Sequence, residues 1–271
     1  ERLLKRRTIA PEIGDVSVLQ PDEVRAKFPL IEDDYYAIYI SGAARVDGKA
    51  LKNSLIQSAK KNGAKFISGD AQILNKHGHV VGVKVNNEVI EADTVIAATG
   101  AWTQELFDPL GISLNVFPQK GQIIHLQLPN SEVTNWPVIK PPNDQYILSL
   151  DTNRIIIGAT RESHSGFDSR VTAGGVNKVL SSALQYVPGL ADATIVETRV
   201  GFRPFTPNSL PVIGSIPNLE GLYLANGLGA SGLTTGPFIG FQLAKLALDM
   251  KLDIELSDYD VTQIIRKLDI R

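Results

Sequence analysis

Apolar and polar positions change period several times along the chain, and each change marks an element. Val16 to Leu19 and Tyr36 to Ile40 read as short strands, with a helix between them over Pro21 to Lys27 that carries proline in its first turn. Asp47 is placed to cap a helix running to about Asn62, and Gly63 is placed to stop it. Lys65 to Leu74 predicts a strand. His79 to Val85 and Glu88 to Glu91 predict a hairpin turning at Asn86 and Asn87. Thr94 to Ala98 is a continuous apolar run, the pattern of a strand buried on both faces, and it leads through Thr99 and Gly100 into a helix over Ala101 to Leu110.

The next hundred or so residues differ in character. Gly121 to Leu128, Tyr146 to Leu150, Arg154 to Ala159 and Thr194 to Phe202 alternate like strands of a mixed or antiparallel sheet. The clear helix among them is Val171 to Tyr186, with Val176, Val179, Leu180, Ala183 and Leu184 on one stripe. A last long helix ends near Met250, and Val261 to Ile270 predicts a short terminal helix. This order gives an α/β fold class, α+β overall, in which a β-rich domain of mixed or antiparallel sheet is inserted between pieces of an α/β domain.

Composition narrows the chemistry. The chain has 271 residues, enough for two modest domains or one large one, and its 43% hydrophobic content is ample for a core. A net charge of -2 gives no electrostatic case for nucleic acid or an anionic membrane. No apolar run is long enough for a transmembrane segment, and the opening ERLLKRR lacks the apolar centre of a secretion signal. There is no cysteine, which removes disulfides, thiolate catalysis and cysteine-ligated metal from this chain. These features set the cytoplasm as the expected location. His77, His79, His125 and His164 have no compact ligand spacing, so no metal is expected.

The chemistry concentrates in Gly201 to Ala247. Arg203 stands alone between Phe202 and Pro204, and a fixed guanidinium is the natural grip for a carboxylate. The strand Gly221 to Ala225 then runs into a glycine-rich turn and a helix, an arrangement that can turn backbone N–H groups toward an electron-rich ligand. Gly227, Gly229 and Gly232 satisfy the G-x-G-x-x-G spacing of a dinucleotide site. An ordinary loop satisfies it equally well, and only 39 of the 271 residues follow Gly232, too few for a full mononucleotide-binding half. Pro237 inside the following helix argues for a helix start near Thr234 to Pro237, after a longer loop. The segment therefore reads as the closing strand and loop of a cofactor domain begun elsewhere.

Six stretches occur in a telling order: RVDGKALKNSLIQSAKKNGAKF, EADTVIAATGAWT, PQKGQIIHL, YILSLDTNRIIIGAT, GFRPFTPNSLPVIG and ANGLGASGLTTGP. Together they resemble the FAD-dependent D-amino-acid oxidase, glycine oxidase and D-amino-acid dehydrogenase family, from about Val16 to Leu248. The resemblance implies FAD as cofactor and a small amino acid, glycine or a D-amino acid, as substrate. Arg203 matches the arginine that pairs with the substrate carboxylate, and Tyr146 a tyrosine bordering the pocket. Thr99, Gly100, Ala101 and Trp102 match a turn where a strand approaches the cofactor. Gly229, Ala230, Ser231, Gly232 and Leu233 match the loop that faces the flavin ring.

The family implies a division into substrate domain (residues 1–41 and 105–203) and FAD-binding domain (42–104 and 204–271). Nothing before Asp47 has the pattern of the family's N-terminal dinucleotide unit, so the chain resembles a truncated member. That leaves a non-catalytic fragment or one subunit of a split enzyme as the alternative, with a homo-oligomer or a missing N-terminal segment or partner chain covering the face concerned. The sequence departs from its relatives at Leu228, where many carry histidine, and at Ser149 and Leu150, where many carry Pro-Arg. It also lacks the cysteine that links flavin covalently in sarcosine oxidases.

Overall fold

A computed structural model describes residues 2–129 and 132–268. The helices and strands, numbered along the chain, begin with α1 (Arg2–Ile9), β1 (Val16–Leu19), α2 (Pro21–Lys27), β2 (Ala37–Ile40) and α3 (Gly48–Lys61). They continue through β3 (Ala71–Lys76), β4 (His79–Val85), β5 (Glu88–Glu91), β6 (Val95–Ala97), α4 (Thr103–Phe107), β7 (Ile112–Leu114) and β8 (Phe117–Gln127). After these come β9 (Tyr146–Ser149), β10 (Arg154–Gly158), α5 (Ala173–Tyr186), β11 (Thr194–Phe205), β12 (Val212–Ser215), β13 (Leu222–Asn226), α6 (Gly232–Ala247) and β14 (Ile265–Leu268).

Two compact units share these elements. The first takes the described residues up to Asn53, with Gly121–Arg161 and Ser169–Gly201; the second takes Ser54–Lys120, Glu162–Asp168 and the chain from Phe202 onward. The chain changes unit inside β8, between Lys120 and Gly121, and inside β11, between Gly201 and Phe202.

In the first unit the sheet order is β11-β8-β10-β9, with β10 antiparallel to both neighbours. The period of two sends Ile124, Leu126, Ile147, Ile155 and Ile157 to one face, where they pack with Val179 and Ala183 of α5 and with Phe28. The amphipathic stripe of α5 is thus its core face. Thr172 caps that helix by accepting the Gly175 N–H, and its hydroxyl also accepts the Gln122 side-chain amide.

In the second unit, β12-β13-β6 form a sheet in which β13 and β6 are parallel neighbours, Leu222 opposite Val95 and Leu224 opposite Ala97. The hairpin β4–β5 turns at Asn86 and Asn87, both at positive φ, with β3 on its other side. Asp47, which belongs to the first unit, caps α3, its carboxylate accepting the Lys49 and Ala50 N–H groups.

Several predicted elements differ. The strand expected over Lys65 to Leu74 begins at Ala71, and Phe66 and Ile67 before it stand exposed, with no partner strand among the described residues. The run Thr94 to Ala98 is covered on one face: Ala97 is buried, while Ile96 points the other way and is 43% exposed. The helix expected over Ala101 to Leu110 is one α-helical turn, α4, between tight turns at Gly100–Trp102 and Asp108–Leu110. Pro109 accounts for the second break, since it offers no N–H to continue the ladder.

Helix α6 starts at Gly232, earlier than predicted, with Pro237 inside it. The proline is tolerated because it falls on an exposed stretch, where Leu233, whose carbonyl would have been its partner, faces water. The hydroxyls of Thr234 and Thr235 also tie the first turn to the Ser231 carbonyl. The terminal segment is a tight turn at Val261–Ile264 followed by β14, which pairs antiparallel with β7. Its neighbour lies some 150 residues earlier, and local periodicity carries no sign of that pairing. Residues 269–270, the end of the expected helix, lie outside the described residues.

Candidate active site

β6 and β13 are adjacent and parallel, so their carboxyl ends emerge side by side, and each is followed by a glycine turn. A crevice beyond the carboxyl ends of parallel strands is where open α/β sheets bind ligands. After β6 come Thr99, Gly100, Ala101 and Trp102; after β13 come Gly229, Ala230, Ser231, Gly232 and Leu233. Gly100 has φ +58° and Gly229 φ +50°, conformations that resist a side chain. At Gly229 a Cβ would also come within 2.9 Å of the Phe205 ring.

One buried side chain joins the two turns. Asn226, the last residue of β13, donates from its amide to the Gly100 carbonyl (2.9 Å) and to the Thr103 hydroxyl. Its amide oxygen accepts the Gly227 N–H (2.6 Å). Thr103 in turn donates to the Gly100 carbonyl and shares a 2.9 Å hydrogen bond with Thr99. Asn226 and Thr103 are buried, whereas Thr99, Trp102, Ala230, Ser231 and Leu233 are exposed. The polar groups that fix the turns therefore point inward, and the residues that could meet a ligand point outward.

Arg203 belongs to the same unit. It is half-buried on β11, and its Nη1 donates to Oε1 of Gln119 on β8 at 3.5 Å. The Gln119 amide nitrogen is itself committed to the Ser163 hydroxyl at 3.1 Å. Two residues along each strand, Phe205 and Phe117 stack with ring centroids 6.3 Å apart. The strand period thus puts Arg203, Gln119, Phe205 and Phe117 on one face, with Phe205 lying against Gly229. A guanidinium, a glycine turn and a helix start accordingly share one side of this unit.

Tyr146 lies in the first unit, on β9 opposite Gly158, where a Cβ would come within 3.2 Å of its hydroxyl. That unit also buries His125, whose imidazole burial pushes below its ordinary value, reinforced by Arg199 and Arg154 and opposed by Glu197. No cluster of three metal-ligating residues occurs among the described residues.

The sequence singled out the turn residues and Arg203, and the structure places them in one unit. Gln119 with its partner Ser163, Asn226 and Phe205 were not singled out, although PQKGQ and ANG sat within the motifs. What distinguishes them is contact across long sequence separations, which no local pattern records.

Together the two turns offer a surface against which a flat, electron-rich group could lie. They present backbone and small or flat side chains outward, with no charged side chain between Thr99 and Trp102 or between Gly227 and Pro237. The FAD dependent oxidoreductase (DAO) family model matches residues 1–246. The Bacillus subtilis oxidoreductase YurR is 54% identical over 261 residues, covering 96% of this chain and 70% of that protein. Glycine oxidase of Geobacillus kaustophilus is 31% identical over 237 residues, 86% of this chain and 62% of its own length. Among solved structures, iminodiacetate oxidase of Chelativorans sp. BNC1 superposes with a TM-score of 0.92 at 43% identity, covering 96% of this chain and 70% of that one. The chain belongs to the FAD dependent oxidoreductase family.

Proposed function

We propose that this member of the FAD dependent oxidoreductase family oxidises a small amino acid at its carbon–nitrogen bond, with the substrate carboxylate held by Arg203. Glycine and D-amino acids are the first candidates, and the likeness to an iminodiacetate oxidase adds N-substituted glycines. The observation that carries the reading is Arg203 itself, half-buried, oriented by Gln119, on the strand face that also carries Phe205 and the Gly229 turn. A guanidinium binds a carboxylate through two parallel charge-assisted hydrogen bonds, which fixes both position and rotation of a small substrate. Orientation is the main service such a site renders, because the redox chemistry belongs to the cofactor.

FAD, when bound, accepts the two electrons of the reaction. Thr99 to Trp102 and Gly229 to Leu233 would hold its ring end, with the N–H groups of the second turn favouring negative charge there. The first unit supplies the substrate domain in this reading.

The test is substrate-driven bleaching of the flavin absorption under anaerobic conditions. Glycine, D-alanine, iminodiacetate and D-alaninamide, which lacks a carboxylate, would be compared. Arg203→Ala should lower kcat/KM for the carboxylates on the order of a thousandfold and leave the amide unaffected. Near-normal kcat/KM in Arg203→Ala would sink the assignment.

A further inference from the structure

Lys120 is a fully buried lysine next to Gln119, and carboxylate binding by Arg203 does not call on it. Its Nζ has no hydrogen-bond partner among the described residues. It lies 3.4 Å from an Asp168 carboxylate oxygen and 3.8 Å from one of Glu162. Those two acids are the first and last residues of one short segment of the second unit. The backbone closes the first end as well: Lys120 N–H donates to the Glu162 carbonyl at 3.1 Å, and Glu162 N–H to the Lys120 carbonyl at 3.0 Å. One ammonium therefore grips both ends of Glu162–Asp168.

Two residues inside the segment reach the candidate site. Ser163 accepts from the Gln119 amide nitrogen, whose oxygen accepts from Arg203. Phe167 stacks on Trp102 of the first cofactor turn, centroids 5.2 Å apart and planes 23° off parallel, and meets Phe202 edge-on at 5.3 Å. Trp102 and Phe202 complete the triangle at 6.0 Å. The segment thus supports Arg203 through Ser163 and covers Trp102 through Phe167.

We infer that Lys120 is a positioning residue, which clamps Glu162–Asp168 so that Ser163 orients the Gln119–Arg203 pair and Phe167 holds Trp102 in place. The inference rests on Arg203 as the carboxylate ligand for its kinetic part only. An ammonium between two carboxylates suits the task because it pulls on both at once with no directional demand, whereas a neutral side chain of the same size would hold neither.

The experiment uses the flavin-loaded enzyme with Trp136→Phe as background, and the Trp102 signal is taken as the difference from a matched Trp102→Phe protein. Lys120→Met should raise KM for the carboxylate substrate about tenfold, the scale of one weakened charge-assisted contact, with kcat changed less than about threefold. Acrylamide quenching and the near-ultraviolet dichroism of Trp102 should change in parallel. Asp168→Asn, a milder change on a partly exposed side chain, should move both readouts the same way and less, and it decides the matter if Lys120→Met does not fold. Phe167→Leu combined with Lys120→Met should alter the Trp102 signals no more than the larger single change does. An unchanged Trp102 signal in both charge variants, or fully additive effects in the double variant, would overturn the clamp. The Trp102 signals need no turnover, so a wrong substrate assignment leaves this test standing.

Discussion

Lys120 and His125 lie on the same strand, β8, both sealed from solvent and neither hydrogen-bonded through its side chain among the described residues. The two units treat them in opposite ways. The second unit sets Lys120 between two carboxylates, which ties a segment in place. The first unit surrounds His125 with Arg199 and Arg154 as well as Glu197, 3.6 Å away, and burial pushes its imidazole toward the neutral form. A buried ionisable group survives either by being countered or by giving up its charge. The countered group is the one next in the chain to Gln119, which accepts from Arg203.

The sharpest way to break this comparison is to delete both groups and measure stability. Lys120→Met should cost about 2 kcal/mol in urea unfolding, below the cost of a fully dry pair because Glu162 and Asp168 retain some solvent. Adding Asp168→Asn should recover part of that loss. His125→Leu should change stability by about 1 kcal/mol or less in either direction, since a neutral, unbonded ring is exchanged for an apolar side chain. Equal losses at the two positions would erase the distinction.

The smallest effect is a pH slope. His125 in the folded protein titrates below its ordinary value of 6.5, so beneath about pH 6.5 the unfolded chain takes up a proton that the folded chain refuses. Stability then falls with pH until the folded-state pKa is reached, and levels off below it. Urea midpoints at about pH 7.5 and about pH 5.5 should differ less in His125→Leu than in the parent protein.

The same contrast explains what the sequence disclosed. Alternation over Gly121 to Leu128, the stripe on α5, the Asp47 cap and the Asn86–Asn87 turn are local, and each is decided by residues within a few positions of one another. β14 depends on β7, and the exposed face of Ile96 on what the fold lays over it, so periodicity misjudged both. Arg203 and the two turns drew attention because their residue types are distinctive where they stand. Lys120 was hidden in PQKGQ, because a lysine in a strand usually signals a solvated edge; its carboxylates lie more than forty positions away.

Asn226 has a practical consequence for anyone redesigning this protein. One amide is knotted into both glycine turns at once, through Gly100 and Thr103 on one side and Gly227 on the other. The two loops are therefore a single exchangeable cassette. A graft that imports one without the other inherits an amide cut for a different lock, so libraries aimed at new specificity should swap or randomise the loops as a matched pair with Asn226 held fixed.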